Sequence, residues 1–97
     1  LYLNNSNKVI AKVQLSKGGI TSTMVDVRLL FKKGIGLNAV GVIVCHNHPS
    51  GKISPSSSDK QLTKKIKEAG ETLDIKLLDH LIITQKDYFS FADNRIL

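Results

Sequence analysis

Tryptophan is absent from this 97-residue sequence, and its ring-bearing aromatic residues are three phenylalanines and two tyrosines. The core must therefore be mostly aliphatic. Hydrophobic residues still make up 41% of the chain and there are only two prolines, which excludes the composition of a disordered segment. A chain of this length can enclose one core but not two, so we expect a single domain over residues 1–97.

Cysteine occurs once, at Cys45. A single cysteine excludes an internal disulfide framework and any site built from several thiolates, and it fits a reducing, cytoplasmic setting. No apolar run approaches the roughly 20 residues of a membrane span, and no signal peptide is visible. Because the chain starts without methionine and inside a predicted strand, we expect it to be a piece of a longer protein.

Charge is the one compositional excess, with a net charge of +6 and a pI of about 9.6. Such a balance indicates either nucleic-acid affinity or a solvated surface rich in lysine. Arg28 and Arg95 are the only arginines among 14 basic residues. Arginine is the usual bidentate reader of base edges, so composition argues against sequence-specific recognition and leaves DNA as an alternative partner.

The hydrophobic pattern alternates short strands with two helices. Strands are predicted at 1–3 and 8–15 around an Asn4–Asn7 turn, with a break at Gly18-Gly19. A first helix over 27–35 ends at Gly34 and Gly36, and its predicted buried face holds Val27, Leu30, Phe31 and Ile35. The apolar run 39–45 is typical of a central strand that is covered on both faces.

The second half continues this alternation. It predicts a helix over 57–73 with Leu62, Ile66, Ala69 and Leu73 as its buried face, then strands over 75–84 and 88–91. Interleaved helices and strands indicate an α/β or α+β fold, here a mixed sheet flanked by two helices. Lysines early on the second helix, Lys64 among them, form either a basic contact surface or a solvated face with pairs such as Lys64–Glu68.

Two histidines follow the central strand in "CHNHPSG". In an extended segment alternate side chains lie on one side, and a residue that precedes proline favours extended angles. His46 and His48 could therefore converge as a pair of zinc ligands, with Asp59, at the start of the next helix, as third ligand. Three protein ligands plus a water make a catalytic zinc site. The alternative is a turn with ordinary histidines.

The segment "HNHPSGKISPSSSD" resembles the metal signature of the JAMM (MPN+, JAB) metallohydrolases, which is His-x-His, seven residues, Ser, two residues, Asp. His46, His48, Ser56 and Asp59 match it at full spacing. The segment "HNHPSG", together with "IKEAG", "LLDHLII" and "GGITST", resembles sequences of the RadC family in particular. This resemblance covers nearly the whole chain and implies a JAB/MPN-like, cytidine deaminase-like sandwich.

The resemblance also implies a function. His46, His48 and Asp59 would hold one zinc ion per chain, and Ser56 would hydrogen-bond the water or the developing oxyanion. The implied reaction is hydrolysis of an amide or isopeptide bond in a peptide or other amide substrate. RadC-like proteins also carry an association with DNA repair. An exposed edge strand could pair with a second copy to give a homodimer.

One part of the family pattern is missing. JAMM enzymes use a glutamate upstream of the histidines as general acid and base, and the only acid before His46 here is Asp26. Arg28-Leu29 stands where RadC-like proteins often have Arg-Glu. Either the glutamate precedes Leu1 in a longer protein or the domain is a non-catalytic module of the same fold.

Several site candidates have structural alternatives. "SSSD" is also a helix start, in which Ser56 is the N-cap and Asp59 lies in the first turn. We expect Cys45 to be a buried, inert core thiol and not a nucleophile or ligand, because it points away from His46. In a strand His80 and Asp79 face opposite sides, so His80 is either a satisfied core histidine or a hydrogen-bond partner of the site.

Overall fold

The computed structural model describes residues 1–15, 25–48 and 51–97. The predicted Gly18-Gly19 break, the "GGITST" segment and Pro49 lie outside these residues. The elements in chain order are β1 (Tyr2–Leu3), β2 (Val9–Ala11), α1 (Val27–Gly36), β3 (Gly41–Asn47), α2 (Ser57–Leu73), β4 (Lys76–Ile83) and β5 (Tyr88–Ser90).

The five strands form one sheet in the order β2-β1-β3-β4-β5. β1 is antiparallel to β2 and β3, β4 is parallel to β3, and β5 is antiparallel to β4. The sheet is therefore mixed, with β3 in the centre, and α2 is the crossover helix between the two parallel strands. This confirms the predicted α+β class with two helices, a JAB/MPN-like architecture.

Asparagine residues form the turn of the opening hairpin. Asn4 Oδ1 accepts hydrogen bonds from the N–H groups of Ser6 and Lys8, and Asn7 adopts a left-handed φ of 57°. The second strand is shorter than the predicted 8–15, since pairing with β1 covers only Val9–Ala11. Alternation nevertheless persists beyond it, because the partly buried side chains of Ala11, Val13 and Leu15 pack against the core.

Helix α1 begins at Asp26, whose side chain accepts hydrogen bonds from the Arg28 and Leu29 N–H groups. The predicted end at Gly36 is confirmed, whereas Gly34 lies inside the helix, and the left-handed residue that follows is Asn38 (φ 54°).

Helix α2 has the predicted bounds. Ser56 and Asp59 form a reciprocal capping box at its start, and Asp74 ends it in the left-handed conformation. At its last turn, Gly70 comes so close to β4 that a Cβ atom there would lie 2.3 Å from the Ile75 carbonyl oxygen. Glycine at this position therefore sets how closely the helix approaches the start of the strand.

One hydrophobic core lies between the sheet and the two helices. It is formed by Tyr2, Val27, Leu30, Phe31, Ala39, Val42, Leu62, Ile66, Ile75 and Leu77. Two predicted core positions are wrong: Ile35 is 55% exposed and Leu73 is 44% exposed. On α1 the small Gly34 takes the buried place, where it packs against the Tyr2 ring.

The other face of the sheet is more open than predicted. Val42 and Val44 of β3 face the core, whereas Ile43 is only half-buried and Cys45 is exposed. The expectation of a central strand covered on both faces, and of Cys45 as a buried core thiol, is therefore wrong for the described chain. Both helices pack on one face of the sheet. The run of apolar β-branched residues in β3 therefore led to a wrong prediction that both faces of the strand are buried. Of the helices described, none is long and apolar enough to cross a membrane.

Candidate metal centre

The site is formed where β3 ends and α2 begins. β3 continues through Asn47, which pairs with Ile83, and the His48 N–H still donates to the Ile83 carbonyl (3.1 Å). Extended geometry thus holds from His46 to His48, as predicted, and both imidazoles lie on one side of the chain. The carboxylate of Asp59 meets them from the first turn of α2.

Four donor atoms from three residues converge at this point, one imidazole nitrogen of each histidine and both carboxylate oxygens of Asp59. His46 Nε2 lies 2.9 Å from His48 Nε2 and 3.1 Å from Asp59 Oδ1, and His48 Nε2 lies 3.1 Å from Asp59 Oδ2. Ligand atoms at about 2.0–2.1 Å from a tetrahedral zinc ion are about 3.3 Å apart. The donor set and its spacing therefore fit a divalent metal ion, after an adjustment of a few tenths of an ångström.

Neighbouring groups orient each ligand. His48 Nδ1 is 2.9 Å from the Lys52 carbonyl oxygen, an acceptor, so Nδ1 carries the proton and Nε2 presents a lone pair to the site. Asp59 Oδ2 accepts a hydrogen bond from the Ser56 N–H (2.8 Å), while Ser56 Oγ accepts from the Asp59 N–H (3.1 Å). The predicted N-cap, Ser56, thus bonds to the predicted ligand, Asp59, and this capping box fixes the position of the carboxylate.

The Asp59 side chain is only 2% exposed, and the His46 and His48 side chains are each 18% exposed. A carboxylate so far removed from water requires nearby positive charge or hydrogen-bond donors. Lone pairs on two imidazoles and a carboxylate repel one another unless a proton or a cation lies between them. Electrostatics therefore favours a proton or a metal cation at the point where they meet.

His80 of β4 also contacts this group. The β3–β4 register pairs Val44 with His80 and His46 with Ile82, so both histidines point to the core face. His80 Nε2 lies 2.8 Å from His46 Nδ1, and its ring stacks on Phe91 with 4.6 Å between ring centroids. His80 is fully buried and also contacts the candidate ligand His46, so it is both a core histidine and a hydrogen-bond partner of the site.

Asp79 points the opposite way, as the strand alternation predicts. Its carboxylate accepts hydrogen bonds from Ser90 Oγ (2.6 Å) and the Ala92 N–H (3.0 Å). Asp79 thus anchors the chain after β5 and takes no part in the site.

Burial lowers the pKa of two histidines, His46 and His80. It lowers the pKa of His46, although the Asp59 carboxylate partly opposes the shift. It lowers the pKa of His80 to about 4, and the positive charge that His46 can carry acts in the same direction. Neutral imidazoles are the form that binds metals, so burial favours the form of His46 that can bind a metal ion.

The remaining sequence candidates lie elsewhere or have other partners. Ser56 is exposed, with Oγ engaged in the helix cap. Both glutamates, Glu68 and Glu71, are exposed more than two turns beyond Asp59 on α2. Asp26 caps α1 and lies near Lys65 and Leu73, away from the start of α2. No glutamate of this chain therefore reaches the candidate metal centre.

A surface groove of about 640 Å³ runs beside His48. It is lined by the end of β3, the end of β4 and the β4–β5 turn, with Ile83 and Lys86 among its lining residues. Space for an extended ligand thus adjoins the candidate metal centre.

The mixed sheet and the His-His-Asp group together define an α+β domain of the JAB/MPN type with a candidate metal site. A family model described as the RadC-like JAB domain matches residues 1–96. The chain belongs to this family, which confirms the resemblance seen in the signature segment.

Curated relatives of this chain share one name. A "UPF0758 protein" of Flavobacterium johnsoniae is 67% identical over 96 residues, which cover 99% of this chain and 42% of that protein. Proteins with the same name in Porphyromonas gingivalis and Chlorobaculum parvum are 46% and 41% identical over 98 and 97 residues, covering all of this chain and 43% and 44% of their own lengths. The chain therefore spans less than half the length of these relatives.

Proposed function

We propose that this domain is a zinc-dependent hydrolase domain that cleaves amide or isopeptide bonds. The observation that carries the proposal is the convergence of His46 Nε2 and His48 Nε2, 2.9 Å apart, on the Asp59 carboxylate, whose Oδ1 and Oδ2 lie 3.1 Å from His46 and His48 respectively. A His₂-carboxylate set is borderline in softness and suits zinc better than magnesium or calcium, which prefer all-oxygen shells. A zinc ion held there would supply Lewis-acid activation of water.

The protein's own part is to hold the ligands and to admit a substrate. The strand end fixes the two imidazoles, and the capping box fixes the carboxylate. The groove beside His48 offers room for a peptide or another extended amide. Ser56 would donate from its hydroxyl to the developing oxyanion while Oγ accepts the cap hydrogen bond, because a hydroxyl donates and accepts at once.

The position of the acids supports a second candidate. Because neither glutamate of the chain lies near the ligands, a glutamate general base is either supplied from outside these 97 residues or absent. In the latter case the domain is a metal-binding module that works by contacting a partner, and the zinc site orders the surface around the β3–α2 loop.

Metal content tests the site itself. The wild-type chain, purified without chelator and dialysed against zinc, should carry about one zinc per chain in elemental analysis. The His46→Ala, His48→Ala double variant and Asp59→Asn should carry less than about a tenth of that amount, since removal of a ligand abolishes tight binding. Asp93→Asn, at an exposed aspartate, is the matched control and should bind as wild type.

Equal zinc in the double variant and the wild type would overturn the metal assignment. Hydrolysis is then measured on amide-linked and isopeptide-linked fluorogenic libraries, with the chain and with a longer protein that contains it. Chelator-sensitive cleavage that Asp59→Asn abolishes supports the hydrolase. Zinc binding without cleavage by either protein overturns the hydrolase and leaves the binding module.

A further inference from the structure

A chain of side-chain contacts joins one metal ligand to the backbone of another. It begins at His46 Nδ1, passes through both ring nitrogens of His80, and reaches Thr63 Oγ1, which lies 2.5 Å from His80 Nδ1. Thr63 Oγ1 then donates to the Asp59 carbonyl oxygen at 2.8 Å. β3, β4 and α2 each contribute one link, and the two middle residues, His80 and Thr63, are 0% and 3% exposed.

The hydrogen bonds of this chain can run in only one direction when His46 Nε2 holds a cation. The lone pair of Nε2 is then used, so the proton of the neutral ring sits on Nδ1 and is donated to His80 Nε2. His80 must in turn carry its own proton on Nδ1 and donate it to Thr63 Oγ1. Thr63 then donates its hydroxyl proton to the Asp59 carbonyl oxygen, which can only accept.

Every position in this arrangement is satisfied. Each of the three groups donates one hydrogen bond along the chain, and no proton is left over or missing. Among the described residues no buried side-chain nitrogen or oxygen lacks a hydrogen-bond partner. Water does not compete for these positions, because both middle residues are buried, so the network selects one tautomer of each histidine.

We infer that His80 and Thr63 are positioning residues that hold His46 in the tautomer whose Nε2 is free to bind the metal. The inference rests on the proposed metal site and deepens it. The outer hydrogen bond that fixes a ligating histidine is worth about 10–100-fold in metal affinity where it has been removed. Here the acceptor of that bond is His80. The proton of His80 is in turn held on Nδ1 by Thr63, which lies on the same helix as Asp59.

The Thr63→Val variant tests this with little change in shape. Valine cannot accept the His80 Nδ1 proton, so His80 should shift toward the tautomer with the proton on Nε2. That proton faces His46 Nδ1 and favours a His46 ring protonated on Nε2, where the proton competes with zinc. Zinc affinity, measured by competition with a chromophoric chelator, should fall about 10–100-fold.

Thr72→Val is the matched control. Thr72 lies on the same helix and makes the same kind of bond, from Oγ1 to the carbonyl oxygen four residues earlier (Glu68, 3.4 Å), but at an exposed position. The same change there should leave zinc affinity unaltered. His80→Phe keeps a ring against Phe91 without an acceptor and should lose affinity, whereas His80→Gln, whose amide oxygen can accept from His46, should retain most of it.

Nitrogen-15 NMR of the zinc-loaded chain supplies a readout that a merely structural role would not move. His80 should show a protonated Nδ1 and an unprotonated Nε2. A proton on His80 Nε2, or wild-type zinc affinity in both Thr63→Val and His80→Phe, would overturn the positioning role and leave the metal site intact. Failure of the wild type to bind zinc would overturn both proposals.

Discussion

At the residue scale, single side chains of this domain serve two purposes at once. The Asp59 carboxylate accepts the Ser56 N–H and also faces two imidazoles. His80 fills the core against Phe91 and contacts a candidate ligand. The same side chain therefore contributes both to the stability of the fold and to the geometry of the site. Substitutions that preserve one contribution and remove the other can separate them.

Ser56 can be separated in this way. Ser56→Ala removes the oxygen that accepts the Asp59 N–H, and should lower the free energy of unfolding by about 1 kcal/mol. Ser56→Asn keeps a capping oxygen but no hydroxyl, and should restore stability in chemical denaturation. If Ser56 also assists catalysis, Ser56→Asn will be stable yet slow in the hydrolysis assay. Stability of Ser56→Ala equal to wild type would contradict the capping role.

The buried His80 predicts a pH dependence of stability in the chain freed of divalent ions. Its pKa is lowered from 6.5 to about 4 in the fold. Between these values the unfolded chain binds the additional proton, so stability falls as the pH is lowered from 6.5 and this contribution is lost by pH 4. The loss should reach about 3 kcal/mol over that window.

Denaturation curves of wild type and His80→Gln measure this. Other groups titrate in both proteins, so the difference between the two isolates His80, and the variant should lose less stability on acidification. Equal losses in the two proteins would show that His80 is not held neutral by the fold.

At the element scale, the site depends on how α2 is placed between two parallel strands. β3 delivers the histidines at its carboxyl end, and α2 returns Asp59 to the same edge of the sheet. The helix is held at its other end by the close approach of Gly70 to Ile75. Packing at the far end of the helix therefore has a bearing on the ligand geometry.

Gly70→Ala tests that contact. The added Cβ would lie 2.3 Å from the Ile75 carbonyl oxygen, so helix and strand must separate, at a cost of about 1–3 kcal/mol in thermal unfolding. Gly36→Ala is the matched change at the end of α1, where a Cβ meets no atom within 4 Å. It should be neutral or stabilise by up to about 1 kcal/mol. Similar losses in the two variants would contradict this account of the helix–strand approach.

At the scale of the whole molecule, a metal that binds only the folded state should stabilise the domain. At free zinc of about 100 Kd the gain in unfolding free energy is about 2.7 kcal/mol. The melting temperature of wild type should therefore rise with zinc, while that of Asp59→Asn should not. A rise of the same size in Asp59→Asn would mean that zinc stabilises the chain from another site.

The lysines of α2 are exposed to solvent. The exposed lysines of α2 make no ion pair with Glu68 or Glu71 among the described residues, so the predicted Lys64–Glu68 pair is not formed. A DNA partner and pairing of the sheet edges with a second copy both remain predictions. The edges available for the latter are β2 and β5.

Local signals in the sequence determined much of this domain. The capping residues, the 3.6-residue pattern and the alternation predicted α2 to the residue and placed each strand within a few residues. The three candidate ligands followed from strand alternation and helix capping, because both act over only a few residues. Helix faces were less certain, since Ile35 and Leu73 are apolar yet exposed.

Tertiary structure alone decided the rest. The parallel pairing of β3 with β4 places His80 beside His46, 34 residues away in the chain. The sequence predicted this contact only as one of two alternative roles for His80. The sequence also did not predict which face of the sheet the helices cover. Cys45 is exposed because both helices pack on the opposite face. Strand register and helix side depend on contacts between distant residues, and local periodicity carries no information about them.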